Sequence, residues 1–200
     1  RQLEITGVKV ETGVDIDAAK IQSEAPDALI LATGGLRDTL TVSGDGSAPV
    51  VDIESAMFTE MGENVIVYGS NAQAFDMALW LTVHKKHVTM VTPNAAEELD
   101  MQQSQHAMRM MTTALYALGF SAWPKASIQS VNQNKAVILT ETGVEMEIAC
   151  DAIVNGADML PNTSLLEGIA VSETYAIGDC AHPYNIAKAI HAGNDAGRTV

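Results

Sequence analysis

Apolar and polar positions along this chain switch between a two-residue and a helical period. Val8-Lys9-Val10-Glu11-Thr12 alternates as a short strand does, and Asp17 to Ala25 reads as a short helix stopped before Pro26. Asp27-Ala28-Leu29-Ile30-Leu31-Ala32 is almost continuously apolar, as a strand buried in a parallel sheet is, and it ends on Thr33-Gly34-Gly35. Residues 36 to 50 are polar and rich in Gly, Ser, Thr and Asp, which predicts a crossover into a second unit. That unit opens with a short helix over Ile53 to Met61 and a buried strand at Asn64-Val65-Ile66-Val67-Tyr68. A tight turn at Gly69-Ser70-Asn71, a helix from about Ala72 to Lys85 and a strand at Val88-Thr89-Met90-Val91-Thr92 complete a βαβ unit.

The second half continues the alternation. Met101 to Leu118 predicts a helix with Gly119 as its C-cap, and its methionines (Met101, Met108, Met110, Met111) read as core filling. Residues 126 to 149 predict two or three antiparallel strands with Gly143 in a hairpin turn. Asp151-Ala152-Ile153-Val154 is another buried strand, Tyr175-Ala176-Ile177 leads into Gly178-Asp179, and Ile186 to Val200 is a final helix. Strands and helices in this order predict an α/β fold with a mainly parallel sheet.

Composition narrows the function classes. Of 200 residues, 47% are hydrophobic and 18% charged, as in a globular domain rather than a disordered chain. The net charge of −14 opposes binding to phosphate backbones, so no nucleic-acid partner is expected. No apolar run reaches the roughly 20 residues of a membrane span, so no membrane partner is expected either. Cys150 and Cys180 have no second cysteine at short spacing, which excludes a Cys-x-x-Cys pair and makes a reducing, cytoplasmic setting the default. The five histidines are scattered, so no metal site is expected.

Two constellations are left to carry chemistry. The turn Gly69-Ser70-Asn71 with Ala74 stands where a dinucleotide fold has Gly-x-Gly-x-x-Gly. Gly69 suits the tight turn, and Ala74 is an accepted third member. Asn71 tolerates unusual backbone angles but puts a side chain where a diphosphate lies. The end of the following strand, Thr92-Pro93-Asn94, has neither an acid for a ribose nor a base for a 2′-phosphate. By motif alone, a working nucleotide turn and a βαβ unit without nucleotide both fit. The second constellation is split: Ala32-Thr33-Gly34-Gly35 near one end of the chain and Ala176-Ile177-Gly178-Asp179 near the other. Each is a buried strand closing on small residues, where ligands of open α/β sheets sit, and Asp179 could accept hydrogen bonds from a polyol.

In this order the motifs resemble the pyridine-nucleotide-dependent flavoproteins. Gly178-Asp179-Cys180 with Pro183 and the run to Ala196-Gly197-Arg198, together with Val88 to Pro93, is similar to the C-terminal half of the old-yellow-enzyme-like group. That group includes 2,4-dienoyl-CoA reductase, related NADH:flavin oxidoreductases, and the trimethylamine, dimethylamine and histamine dehydrogenases. The resemblance implies a Rossmann-like three-layer fold in which an NAD(P)-type domain (residues 49–150) is inserted into an incomplete FAD-type domain (residues 1–48 and 151–200). It implies that Thr33, Gly34, Gly178 and Asp179 face FAD, and that Gly69, Ser70, Asn71 and Ala74 face NAD(P)H or ADP.

It also implies a parent oxidoreductase with an N-terminal FMN barrel and an iron–sulfur cluster, and a first FAD Gly-x-Gly-x-x-Gly preceding Arg1. The chain alone is therefore expected to hold no FAD tightly and to be inactive in isolation, with no residue of its own catalytic. The alternative is a scaffold or docking module with a degenerate nucleotide site, as in an amine-dehydrogenase-like enzyme whose electrons leave to a protein acceptor. A free-standing Rossmann-type binding protein is disfavoured, because its first predicted strand lacks a phosphate-binding turn.

Overall fold

The computed structural model describes residues 2–99 and 104–200. The chain forms two compact units, Arg1–Gly35 with Leu160–Val200, and Leu36–Met159.

The unit Leu36–Met159 is built on a five-stranded sheet in the order Val50–Asp52, Ala152–Asn155, Asn64–Tyr68, His87–Val91, Ser121–Trp123, and every neighbouring pair is parallel. Strict alternation sorts its side chains between two faces. Val65, Val67, Val88, Met90 and Val154 turn to one face, where Phe75, Ala78 and Leu81 of the helix Ala72–Val83 close over them. Ile66, Val91 and Ile153 turn to the other, where Val131, Ala136 and Ile138 of an antiparallel sheet meet them. In that second sheet Glu145–Ala149, Lys135–Leu139 and Ser127–Asn132 run antiparallel, with Gly143 at a φ of +77° in the hairpin, and the short Ser43–Gly44 adds to Ser127–Asn132 in parallel. Helix, parallel sheet and antiparallel sheet make the three-layer, Rossmann-like arrangement that the sequence predicts.

The strand Ala152–Asn155, placed by the sequence pattern in the closing segment from 151 on, lies inside this sheet between Val50–Asp52 and Asn64–Tyr68. All four of its side chains are buried, which explains its unbroken apolar run. Ser121–Trp123 adds an edge strand too short to carry a period of its own. The helix predicted from Met101 runs over Gln105–Ala117; Met108 and Met111 pack on the helix-side core, Met110 is exposed, and Met101 lies outside the described residues.

In the unit Arg1–Gly35 with Leu160–Val200, the strand Ala28–Leu31 pairs in parallel with Glu173–Ala176. The helix Ala18–Glu24 starts where Asp17 accepts a hydrogen bond from the Lys20 N–H at 2.8 Å. It ends where Ala25 turns left-handed at a φ of +46° ahead of Pro26. Ile186–Thr199 forms the closing helix, capped by the Asn185 side chain on the Lys188 N–H. The expected strand at Val8–Thr12 is absent. Val8 and Val10 stay exposed, and with no ladder partner among the described residues the alternation has nothing to pair with.

Candidate functional site

Two strand-end sites emerge, one in each unit. In the first, the parallel register Leu31↔Ala176 brings Thr33-Gly34 and Gly178-Asp179 to the same end of adjacent strands. The ladder runs on for one more bond, from the Ile177 N–H to the Leu31 carbonyl at 2.9 Å. Beyond it both strands turn on glycine. Gly34 has a φ of +72° and Gly178 a φ of +61°, a region costly to a side chain. A Cβ added at Gly34 would meet nothing within 4 Å, so open space lies beside this strand end. Thr33 Oγ1 donates to the Asn162 carbonyl at 2.9 Å, and the Cys180 thiol donates to the same oxygen at 3.0 Å. Asp179 Oδ1 accepts from the Tyr184 N–H at 3.2 Å, which holds a half-exposed carboxylate at this end. All four residues expected beside a flavin are thus brought together, although their two motifs stand near opposite ends of the chain.

The second site lies at the carboxyl ends of Val50–Asp52, Ala152–Asn155 and Asn64–Tyr68, three adjacent parallel strands. Gly69 has a φ of +115°, and a Cβ there would stand 2.1 Å from the Gly156 carbonyl oxygen. Glycine is therefore required for the close approach of two backbones. Ala74 is fully buried, and its methyl would lie 3.1 Å from a Cβ placed on Gly156, so only a small residue fits there. Ser70 is also buried; its Oγ accepts from Thr92 Oγ1 at 3.1 Å and from Asn94 Nδ2 at 3.0 Å, tying the turn to the end of the next strand.

Asn71 occupies the middle-glycine position with a fully employed side chain. Its Oδ1 accepts from the Ala74 N–H at 3.0 Å, capping the helix Ala72–Val83. Its Nδ2 donates to the Gly156 carbonyl at 2.9 Å and to Asp158 Oδ1 at 3.1 Å. The residue thus adopts extended, not left-handed, backbone and serves as a cap. Glycine angles are not what this position needs.

Arg37 completes the site, and nothing in the periodicity of residues 36 to 50 marked it. Its side chain is only 8% exposed. Nη1 donates to the Ala157 carbonyl at 2.6 Å, Nη2 to Gln73 Oε1 at 2.6 Å, and Nε and Nη2 both to Glu54 Oε1, at 3.0 and 2.6 Å. Those partners follow the three strand ends, so one guanidinium staples them together. The ion pair holds the Glu54 carboxyl below its ordinary range. Nearby, burial first, and then the charges of Asp38 and Asp158, raise the Tyr68 hydroxyl above its usual range. The only available hint to Arg37 was a lone cation close behind a strand-end motif in a strongly acidic chain.

The two cysteines are free and buried. Burial pushes the Cys150 thiol up to about 12. Among the described residues no group of three His, Cys, Asp or Glu side chains could hold a metal ion, and no helix is long and apolar enough to cross a membrane.

Comparison with known proteins agrees with this architecture. The family model described as pyridine nucleotide-disulphide oxidoreductase matches residues 3–196. Cinnamate reductase of Clostridium sporogenes is 25% identical over 97% of this chain and 30% of its own length. The nitric oxide reductase FlRd-NAD(+) reductase of Vibrio vulnificus is 26% identical over 76% of this chain and 46% of its own. Among solved structures, a 2-naphthoyl-CoA reductase superposes over the whole chain with a TM-score of 0.81 at 23% identity, covering 31% of that protein. Histamine dehydrogenase from Rhizobium sp. 4-9 does so with a TM-score of 0.78 at 18% identity, covering 33%. The chain therefore spans less than half the length of either curated relative. The resemblance to the flavin and nicotinamide module of the old-yellow-enzyme-like group is borne out.

Proposed function

The chain belongs to the pyridine nucleotide-disulphide oxidoreductase family, and from that premise we propose that it is the dinucleotide-binding module of a longer flavoprotein. In this reading Thr33, Gly34, Gly178 and Asp179 hold FAD, and Gly69, Ser70, Asn71 and Ala74 form the turn for NAD(P)H or ADP, with the buried Ser70 and Ala74 shaping it from within rather than touching the nucleotide. Bound there, FAD would supply hydride- and electron-transfer chemistry between reduced nicotinamide and the FMN barrel and iron–sulfur cluster proposed for the rest of the parent chain.

The observation that carries the reading is the parallel register of Ala28–Leu31 with Glu173–Ala176, which sets two small-residue strand ends side by side. The residues fit a flavin there. Gly34 leaves open space and lets backbone approach closely, and the Asp179 carboxylate is an acceptor suited to the hydroxyls of a ribityl chain or ribose. Thr33 and Cys180 both tie to the Asn162 carbonyl, which holds the segments beside this strand end together. No side chain in either site is paired as nucleophile and base, so the module's own work is binding and orientation.

A second reading keeps the fold without nucleotide. The employed side chain of Asn71 favours it, since both its amide nitrogen and its oxygen are already bonded within the protein. Such a module would serve as a scaffold or docking surface, with electrons leaving to a protein acceptor as in an amine-dehydrogenase-like enzyme. Calorimetric titration with NADH, NADPH and ADP separates the readings. Micromolar binding that tightens in Asn71→Gly supports the nucleotide site; no binding to either protein supports the scaffold.

A further inference from the structure

Arg37 donates to two kinds of partner. The inner ones, the Ala157 carbonyl and Gln73 Oε1, each lie at 2.6 Å and belong to the segments that bound the turn. The outer one, Glu54, is 59% exposed, although the Arg37 side chain itself is almost wholly buried. Glu54 takes both of its bonds on a single oxygen, Oε1, from the Nε and Nη2 edge of the guanidinium. That edge matches a phosphate or carboxylate held through two oxygens, so a one-oxygen contact leaves its geometry underused. The pair is asymmetric: Glu54 regains hydration by turning to solvent, whereas the buried Arg37 does not and favours another anion in its place.

The setting gives that edge a use. Gln73 sits in the first turn of the helix Ala72–Val83, one of the places where backbone N–H groups favour an anion. Arg37 brings a full positive charge to the same spot, in a chain whose net charge of −14 otherwise repels anions. The inner partners keep the guanidinium in place whether or not Glu54 stays.

We propose that Arg37 is a phosphate-binding residue of the nucleotide site and that Glu54 is its exchangeable counter-ion. A nucleotide diphosphate takes over the Nε and Nη2 edge as the Glu54 carboxylate swings out to solvent. This inference rests on the nucleotide reading above and adds to it the group that recognises phosphate and the internal carboxylate that competes for it.

The test titrates the 200-residue protein and its Glu54→Gln variant with ADP and with inorganic pyrophosphate at fixed ionic strength. Glu54→Gln keeps the size of the side chain and removes the competing charge, and it should bind both ligands roughly fivefold more tightly. Arg37→Lys, checked by thermal unfolding, should lose affinity for both while adenosine, which has no phosphate, is unaffected. Wild-type binding that Glu54→Gln leaves unchanged overturns the exchange while the nucleotide reading stands. Failure of both proteins to bind ADP or pyrophosphate overturns both.

Discussion

Thr33 and Cys180 donate to one acceptor, the carbonyl oxygen of Asn162, at 2.9 Å and 3.0 Å. A carbonyl has two lone pairs, so each donor covers for the loss of the other. Thr33→Val and Cys180→Ala should therefore each cost about 0.5–1 kcal/mol. The double variant should cost more than the sum, with a coupling of roughly 0.5–1 kcal/mol. Urea unfolding of the four proteins in this cycle measures it, and strict additivity would show that the shared carbonyl does not join the two strand ends.

The thiols themselves should be silent in the native protein. Cys150 is fully buried with its thiol pushed up to about 12, and Cys180 is fully buried with its S–H engaged. The thiolate is the reactive form, so an aromatic disulfide reagent at pH 8 should modify neither cysteine in buffer and both in denaturant. Stoichiometric labelling of the folded protein would contradict this burial.

The glycines at the two sites should respond differently to alanine. At Gly69 a Cβ would stand 2.1 Å from the Gly156 carbonyl, so backbone must move, and Gly69→Ala should cost about 3 kcal/mol or more. At Gly34 the added methyl meets open space, and the cost should be only the left-handed backbone, about 1–2 kcal/mol. On the proposed reading FAD lies in that open space, and Gly34→Ala then also weakens FAD binding beyond its effect on stability. Urea midpoints and flavin titrations separate the two effects.

These contrasts mark what the sequence made legible. Apolar runs such as 65–67 and 152–154 announced buried parallel strands, because a strand covered on both faces has few polar positions to dilute the signal. The pairing of Thr33-Gly34 with Gly178-Asp179 was legible as two motifs in order, although their contact depends on a register no local pattern encodes. Val8–Thr12 misled because alternation describes a strand only where a partner exists. Arg37 was invisible for a related reason: its partners Glu54, Gln73 and Ala157 come from three segments that meet only at the strand ends.

Among the carboxyls held below their ordinary range, Asp151 at the opposite end of the central strands should contribute to acid sensitivity. Asp151 Oδ2 accepts from the Asn64 N–H at 2.8 Å and from Asn64 Nδ2 at 3.0 Å, and the backbone bond is the main cause of its lowered pKa. A carboxyl depressed in the folded state stabilises it above the unfolded value, near 3.9 for Asp. That contribution is lost as pH falls from about 4 through the folded value. Asp151→Asn should lower stability near neutrality, where the ionised carboxylate contributes, and flatten the profile below about pH 4, where the two proteins converge, as thermal melts across pH would record.

Asn71→Asp sets local helix chemistry against the site's own network. As an N-cap, Asp matches Asn, and a negative charge there favours the helix dipole, so propensity alone predicts no loss. The structure predicts a loss, because Asn71 uses its Nδ2 to donate to the Gly156 carbonyl and to Asp158 Oδ1. Aspartate has no hydrogen to give, so it faces one carbonyl and one carboxylate as a third acceptor. The variant should be about 1–3 kcal/mol less stable at pH 7. Repulsion raises the pKa of the new carboxyl in the folded state, so the folded protein binds the extra proton first as pH drops. The deficit should therefore shrink between about pH 6 and pH 4. Asn71→Ser, which keeps a capping oxygen without adding charge, should lose about 1 kcal/mol with no such pH dependence. Equal stability of wild type and Asn71→Asp at neutral pH would mean that the amide nitrogen contributes nothing.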